Sequence, residues 1–150
     1  MHIRKAVSAD LNALVQFNQA MALETENKQL DNACLTAGVR AVLDSQDKGF
    51  YLVAEVAGEI VGSLMVTFEW SDWRNGTFWW VQSVYIVPEH RRKGIYSALY
   101  REVQTLSEDQ PNVCGYRLYV EKDNLTAQRT YQALGMEETH YLMFEASKSN

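Results

Sequence analysis

Three groups of residues have types and spacings suited to chemistry. Arg91, Arg92 and Lys93 run directly into Gly94, and the next stretch carries Ile95, Leu99, Val103 and Leu106 at helical spacing. A basic glycine loop that enters a helix makes an anion site, because the first-turn N–H groups and the helix dipole both favour negative charge there. Glycine also lets the backbone come close to a phosphate. The plainer alternative is a solvated connection in which Gly94 is a turn residue. The second group is Glu69, Trp70, Asp72, Trp73, Trp79 and Trp80, in which all four tryptophans fall within eleven positions beside two carboxylates. Rings and acids together can seat a cationic amine. Strand alternation would instead send Trp79 or Trp80 into the core, and Arg74 in the same loop suits a carboxylate. The third group is Asn124 and Tyr131, seven residues apart on an expected helix and so nearly on one face. Asn124 is equally suited to be a helix N-cap.

The elements that must position these groups follow from periodicity. Residues 2–7 alternate as a strand, Ser8 stands as an N-cap, and Leu11, Leu14, Val15, Met21 and Ala22 mark a helix. A second helix is expected over 31–43, after a linker made acidic by Glu24 and Glu26. Segments 50–56 and 60–69 flank Ala57-Gly58-Glu59 as a hairpin. Residues 70–76 then break the pattern with Asn75-Gly76. Segment 78–87 is apolar on both faces, as a central strand should be, and Val84 and Ile86 are expected in the core. The helix after Gly94 is followed by Pro111 and Gly115 as turn markers, a strand over 116–121, a helix over 124–134 stopped by Gly135, and a last strand over 138–145. The order is β-α-α-β-β-β-α-β-α-β, an α/β class with a mixed sheet.

Composition narrows the function. A length of 150 residues predicts one domain, 1–146, with a loose tail at 147–150. The net charge of -5 argues against a nucleic-acid partner, whose phosphates would be repelled. Cys34 and Cys114 lack zinc-ligand spacing and are expected as two reduced, buried thiols of a cytoplasmic protein. Neither an apolar leader core nor a run of about 18 apolar residues is seen, so no membrane role is expected. The Gly-x-Gly-x-x-Gly turn, the P-loop and the Gly-x-Ser-x-Gly elbow are all missing.

The stretch VYIVPEHRRKGIYSALY resembles the acetyl-CoA signature of the GNAT superfamily of N-acetyltransferases: Arg or Gln, two residues, Gly, one residue, then Gly or Ala. Arg91 and Gly94 match it, whereas Tyr96 replaces the small residue. A second stretch, LYVEKDNLTAQRTYQALGM, carries Asn124, Ala127, Tyr131 and Gly135 in the family's strand-helix arrangement, and the element order is also the family's.

The resemblance implies a sheet in which strands 78–87 and 116–121 splay apart. Free backbone at Val84, Tyr85 and Ile86 would pair with the pantetheine arm of acetyl-CoA. Arg91 and the amides of Arg92, Lys93, Gly94, Ile95, Tyr96 and Ser97 would hold the pyrophosphate, with Asn124 on the other side of the arm. Tyr131 would be the general acid beside the sulfur, its phenol of pKa ~10 being a better donor than water. Glu69 is the candidate base, and Trp70, Asp72 and Trp73 the candidate amine seat. The implied reaction is direct acetyl transfer, without metal, to a primary amine of a small molecule or an exposed peptide amino group. A homodimer is compatible with the fold. The alternative is a non-catalytic acyl-CoA-binding sensor or interaction module.

Overall fold

The computed structural model describes residues 1–148. It divides into two compact units, one running from Met1 to Tyr119 and the other from Val120 onward.

The first unit is built on five strands in the spatial order β1-β2-β3-β4-β5: β1 His2–Lys5, β2 Gly49–Val56, β3 Glu59–Ser71, β4 Gly76–Ile86 and β5 Val113–Arg117. The first four form antiparallel pairs, and β5 runs parallel to β4. A parallel neighbour needs a crossover, here the helix α3, Ile95–Glu108. The β2–β3 hairpin turns through Ala57 and Gly58, with φ of 52° and 80°. Two consecutive positive values define the two-residue turn whose twist matches the strands it joins.

The helices α1, Leu11–Glu26, and α2, Asn32–Asp44, cover one face of the sheet, where Leu14, Val15 and Val39 pack with Tyr51 and Val53. Asp31 caps α2, its side chain accepting from the Cys34 N–H at 2.8 Å. The other face of β2 and β3 meets α3: a Cβ on Gly62 would lie 3.4 Å from the Ile95 side chain. Leu52, Leu64, Leu99 and Val103 are fully buried. Each such side chain contributes about 1.5–3 kcal/mol relative to exposure.

The second unit holds α4, Leu125–Ala133. Asn124 starts it, its Oδ1 accepting from the Ala127 N–H at 3.1 Å. Gly135, at φ 92°, ends it: the Gly135 N–H reaches the Gln132 carbonyl and the Met136 N–H reaches that of Tyr131. This pair of bonds satisfies carbonyls the helix would leave open.

Several expectations need correction. Ser8 is not the cap of α1 but the first residue of a short 3-10 turn, Ser8–Asp10. Asp10 fixes that turn, accepting from the Val7 N–H and from Arg4, which also bonds Glu55. Glu24 and Glu26 belong to α1 rather than to a linker. Trp70 and Ser71 continue β3, because Ser71 pairs with Gly76 and only Asp72 to Asn75 turn. The strand expected at 116–121 begins at Val113 and ends at Arg117. Gly115 lies inside it and not at a turn, since a Cβ there would come within 2.8 Å of the Phe78 ring. No strand forms over 138–145, because β character alone does not make a strand without a neighbouring ladder. Both cysteines are exposed, not buried: Cys34 lies in the first turn of α2 and Cys114 on the edge strand β5. In the expected tail Ser147 and Lys148 are exposed, and its last two residues lie outside the described residues.

Candidate active site

The strand β4 changes character midway. From Thr77 to Trp80 it is paired on both sides, with Trp80 opposite Thr67 of β3 and Arg117 of β5. Pairing with β5 stops there. Between Gln82 and Tyr85 β4 takes three steps where β3, from Met65 to Ser63, takes two. The extra residue is accommodated at Ser83, which holds a left-handed φ of 51°. Such a bulge bends a strand and increases its twist, and a non-glycine residue in that region is a strained one. Val84, Tyr85 and Ile86 lie beyond it with one edge outside the ladder. Val84 and Ile86 are only half-buried, correcting the expectation of core positions, whereas Tyr85 is buried. The open edge explains the difference, as it removes one layer of cover.

The chain then passes Pro88–His90 and enters α3 through Arg91, Arg92, Lys93 and Gly94, all exposed. Arg92 and Gly94 both have positive φ, 63° and 81°. The N-cap of α3 is Gly94, which makes no side-chain cap, so the positive end of the helix dipole faces the loop. A Cβ on Gly94 would meet nothing within 4 Å. The Tyr96 ring stacks on Tyr100 one turn along, centroids 6.3 Å apart and planes within 16°. It thus accounts for the large residue at a small-residue position: the ring runs along the helix, toward Tyr100.

Arg91 is engaged elsewhere than in the loop. Its Nε donates to the Ile86 carbonyl at 2.8 Å, its Nη2 to Glu24 at 2.8 Å, and its guanidinium lies over the Tyr85 ring. The Tyr85 hydroxyl donates to the same Glu24 at 3.2 Å. Burial, reinforced by that carboxylate, pushes the Tyr85 phenol up. Glu24 therefore ties α1 to the end of β4, a role that the acidic-linker reading missed.

On the α1–α2 face, near the last β4–β5 pair, Glu69 accepts from the Trp80 indole at 2.8 Å and from Arg117 at 2.9 Å. The hydrogen bond from Trp80, with help from Arg117, holds its carboxyl below the ordinary value. Arg117 stacks over the Phe78 ring at 3.6 Å, and Gln82 donates to Thr67 on the same face. Neither Arg117 nor the Trp80 indole could be foreseen as Glu69's partners without the strand register.

The tryptophan cluster does not come together. Trp79 faces α3, edge-on to Phe50, while Trp80 shares the Glu69 face. Trp70 alternates to the side opposite Glu69. Trp73 is 90% exposed at the tip of the β3–β4 turn, where its N–H donates to Asp72. That turn lies at the far end of β4 from Ile86, about 30 Å along the strand at ~3.3 Å per residue. In the second unit, Tyr131 is half-buried on α4, and burial pushes its phenol up.

An open strand edge beside a bulge, leading to an uncapped helix N-terminus with open space at its glycine, fits an elongated ligand that ends in an anion. Among the described residues no group of His, Cys, Asp or Glu could hold a metal ion, and no helix is long and apolar enough to cross a membrane.

A mixed sheet opening beside such a loop defines a class of acyl-transfer domains, and the comparisons agree. Residues 16–136 match the Acetyltransferase (GNAT) family, and the chain belongs to it. A possible acetyltransferase from Clostridium difficile 630 is similar in structure at 45% identity, covering 99% of this chain and 98% of that one, with a TM-score of 0.91. Two solved structures of lower identity share the fold. AAC(6')-Iy, in complex with the bisubstrate analogue CoA-S-monomethyl-acetylneamine, is 17% identical at TM-score 0.80, with 99% and 98% coverage. The aminoglycoside 6'-N-acetyltransferase AAC(6')-IG from Acinetobacter haemolyticus is 19% identical at TM-score 0.74, with full coverage of both chains. Comparison with curated proteins gives no match. The protein is thus an acetyltransferase of the GNAT family, which uses acetyl-CoA.

Proposed function

We propose that this protein, as one domain over 1–146, transfers an acetyl group directly to a primary amine of a small molecule. The observation that carries the reading is the half-paired strand β4 running through its bulge toward the uncapped start of α3. Acetyl-CoA, when bound, supplies a thioester carbonyl activated for attack. The amides of Arg92 to Ser97 hold the diphosphate, Arg92 and Lys93 add positive charge, and the backbone of Val84 to Ile86 pairs with the arm. Arg91 acts by holding the end of β4 to Glu24. Asn124 contributes its amide beside the arm, as the family motif implies, in addition to capping α4.

Tyr131 supplies the proton that the departing sulfur takes. Its upward shift keeps it in the acid form throughout the neutral range. Glu69 is charged across that range, and its low pKa suits a fixed counter-charge for the acceptor's ammonium better than strong proton abstraction. The amine's proton then leaves through water. Trp70, Asp72 and Trp73 would serve only an extended acceptor reaching the far turn. The Acinetobacter haemolyticus enzyme, named as an aminoglycoside antibiotic 6'-N-acetyltransferase, supports a small-molecule amine as the acceptor class.

The test is release of free thiol from acetyl-CoA across a panel of amines. Amine-dependent release above the hydrolysis rate supports the enzyme. Tight acetyl-CoA binding with no release to any amine would favour the sensor reading instead.

A further inference from the structure

The charges around Glu69 do not suit every amine. Arg117 donates to Glu69 at 2.9 Å and stacks over the Phe78 ring at 3.6 Å, while the Arg74 guanidinium lies over the same ring at 4.9 Å. Phe78 stands opposite Glu69 in the β3–β4 register, so ring and carboxylate share a face. A cation from the β3–β4 turn and one from β5 are thus gathered on one buried ring. Both act on the carboxylate: the Trp80 hydrogen bond lowers the Glu69 carboxyl most, and Arg117 and then the charge of Arg74 add to it. Two positive charges therefore stand there against one negative. Asp72, in the same turn as Arg74, accepts from the Trp73 N–H at 2.8 Å, and Trp73 is at the exposed tip.

A guanidinium has five N–H donors in a planar fork. Among the described residues Arg117 uses one on Glu69 and Arg74 one on Ser71, at 3.4 Å, which leaves donors of both for a ligand. The Trp80 ring, whose indole holds Glu69, packs against Tyr119 with centroids 6.2 Å apart. Flat apolar walls around a few charged groups are the make-up of a small-ligand site.

A polycationic acceptor fits this set poorly, since each further ammonium brings like charge to Arg74 and Arg117. A plain monoamine leaves the guanidinium donors unfilled. An amine that also carries a carboxylate answers both. In the neutral form that attacks, its proton gone to water, such a molecule bears one negative charge, which balances the excess positive charge beside Glu69. The guanidinium fork takes a planar carboxylate on two parallel bonds. Position agrees as well: Trp80 is the last β4 residue paired with β5, and Phe78 lies two residues, or ~6.6 Å, further from the open half.

We infer that the acceptor is a small amino-acid-like molecule, a primary amine bearing a carboxylate, with Glu69 taking the ammonium and Arg117 and Arg74 the carboxylate. The inference rests on the proposed acetyl transfer and narrows its acceptor.

The test compares four acceptors of one chain length: 2-aminobutanoate, 4-aminobutanoate, butylamine and 1,4-diaminobutane. With acetyl-CoA, kcat/KM for one of the aminobutanoates should exceed that for both butylamine and 1,4-diaminobutane by at least tenfold. Arg117→Gln and Arg74→Gln should each lower kcat/KM for that aminobutanoate at least fivefold more than for butylamine, through KM rather than kcat. Thermal shifts with coenzyme A present give a second readout: the same aminobutanoate should raise Tm in the parent and lose most of that rise in Arg117→Gln. Transfer to butylamine or 1,4-diaminobutane at least as good as to either aminobutanoate would overturn the inference and leave acetyl transfer standing. Variants that slow every acceptor by one common factor would make the arginines structural and overturn it too. Should no amine release thiol, the acetyl-transfer reading fails, and the thermal shift decides the carboxylate seat: an arginine-dependent rise upholds it and no rise overturns it.

Discussion

The two halves of β4 are made of similar residues but placed differently. Thr77 to Trp80 sits between β3 and β5 and pairs with both, with aromatic rings packed on both faces. Val81 to Ile86 keeps β3 but leaves β5 behind, and carries the bulge at Ser83. The first half gives stability and the second leaves backbone donors and acceptors for something other than protein. A buried strand cannot leave such groups unmet without cost, so an open half must face water or a ligand. In the proposed reading, acetyl-CoA binding begins where sheet pairing ends.

The largest effect should come from outside β4, at the proton the leaving sulfur requires. Tyr131→Phe should lower kcat by about 10²–10⁴, or roughly 3–5 kcal/mol, while acetyl-CoA binding changes little. Because burial raises the Tyr131 pKa, any loss of the parent kcat from its ionisation should begin at higher pH than for an ordinary phenol and be absent in the neutral range. A fall within threefold would remove the acid role. Next, Gly94→Val puts a β-branched residue at φ 81° and fills the space before the α3 amides. Acetyl-CoA affinity should drop by at least tenfold and its thermal shift should largely disappear. Retention of the full shift would mean that the open half of β4 does not lead to the anion seat.

In the closed half, Gly115→Val forces a side chain onto the Phe78 ring. It should cost about 1–3 kcal/mol of stability, read as a fall of several degrees in Tm, without a selective loss of acetyl-CoA binding. Glu69→Gln removes the counter-charge between Trp80 and Arg117. The amine KM should rise about tenfold, near the ~1.5 kcal/mol of a charge-assisted hydrogen bond. Since the Glu69 pKa is lowered, the residue is ionised in the neutral range and its contribution fades only as pH falls through that lowered value. The rise in rate from pH 6 to 9 should therefore follow the amine and persist in Glu69→Gln. The smallest effect belongs to Trp73→Ala, at the far tip: less than threefold for a compact amine.

The sequence made the loop legible because its chemistry is local: a basic run, a glycine and a helix stripe are contiguous, and the structure keeps them so. Element order from β1 to α4 was legible for the same reason, through periodicity. What escaped depended on register. Trp79 and Trp80 separate because adjacent strand residues point oppositely, and Glu69 meets Arg117 only through pairing between β4 and β5. Gly115 read as a turn residue because nothing local reveals the Phe78 ring that requires it. Glu24 read as linker because its partners, Tyr85 and Arg91, lie more than sixty residues away. Segment 138–145 has the composition of a strand, but strand formation is decided by the neighbour, which composition does not supply.

Amide hydrogen exchange, resolved by residue with and without acetyl-CoA, tests the division of β4 most directly. The open half and the helix start, Gln82 to Ile86 and Ile95 to Ser97, should exchange readily in the free protein and slow by at least tenfold on binding. Thr77 to Trp80 should be protected in both states and change little. Protection spread evenly along β4, or confined to residues away from Val84 to Ile86 and the α3 start, would contradict the account.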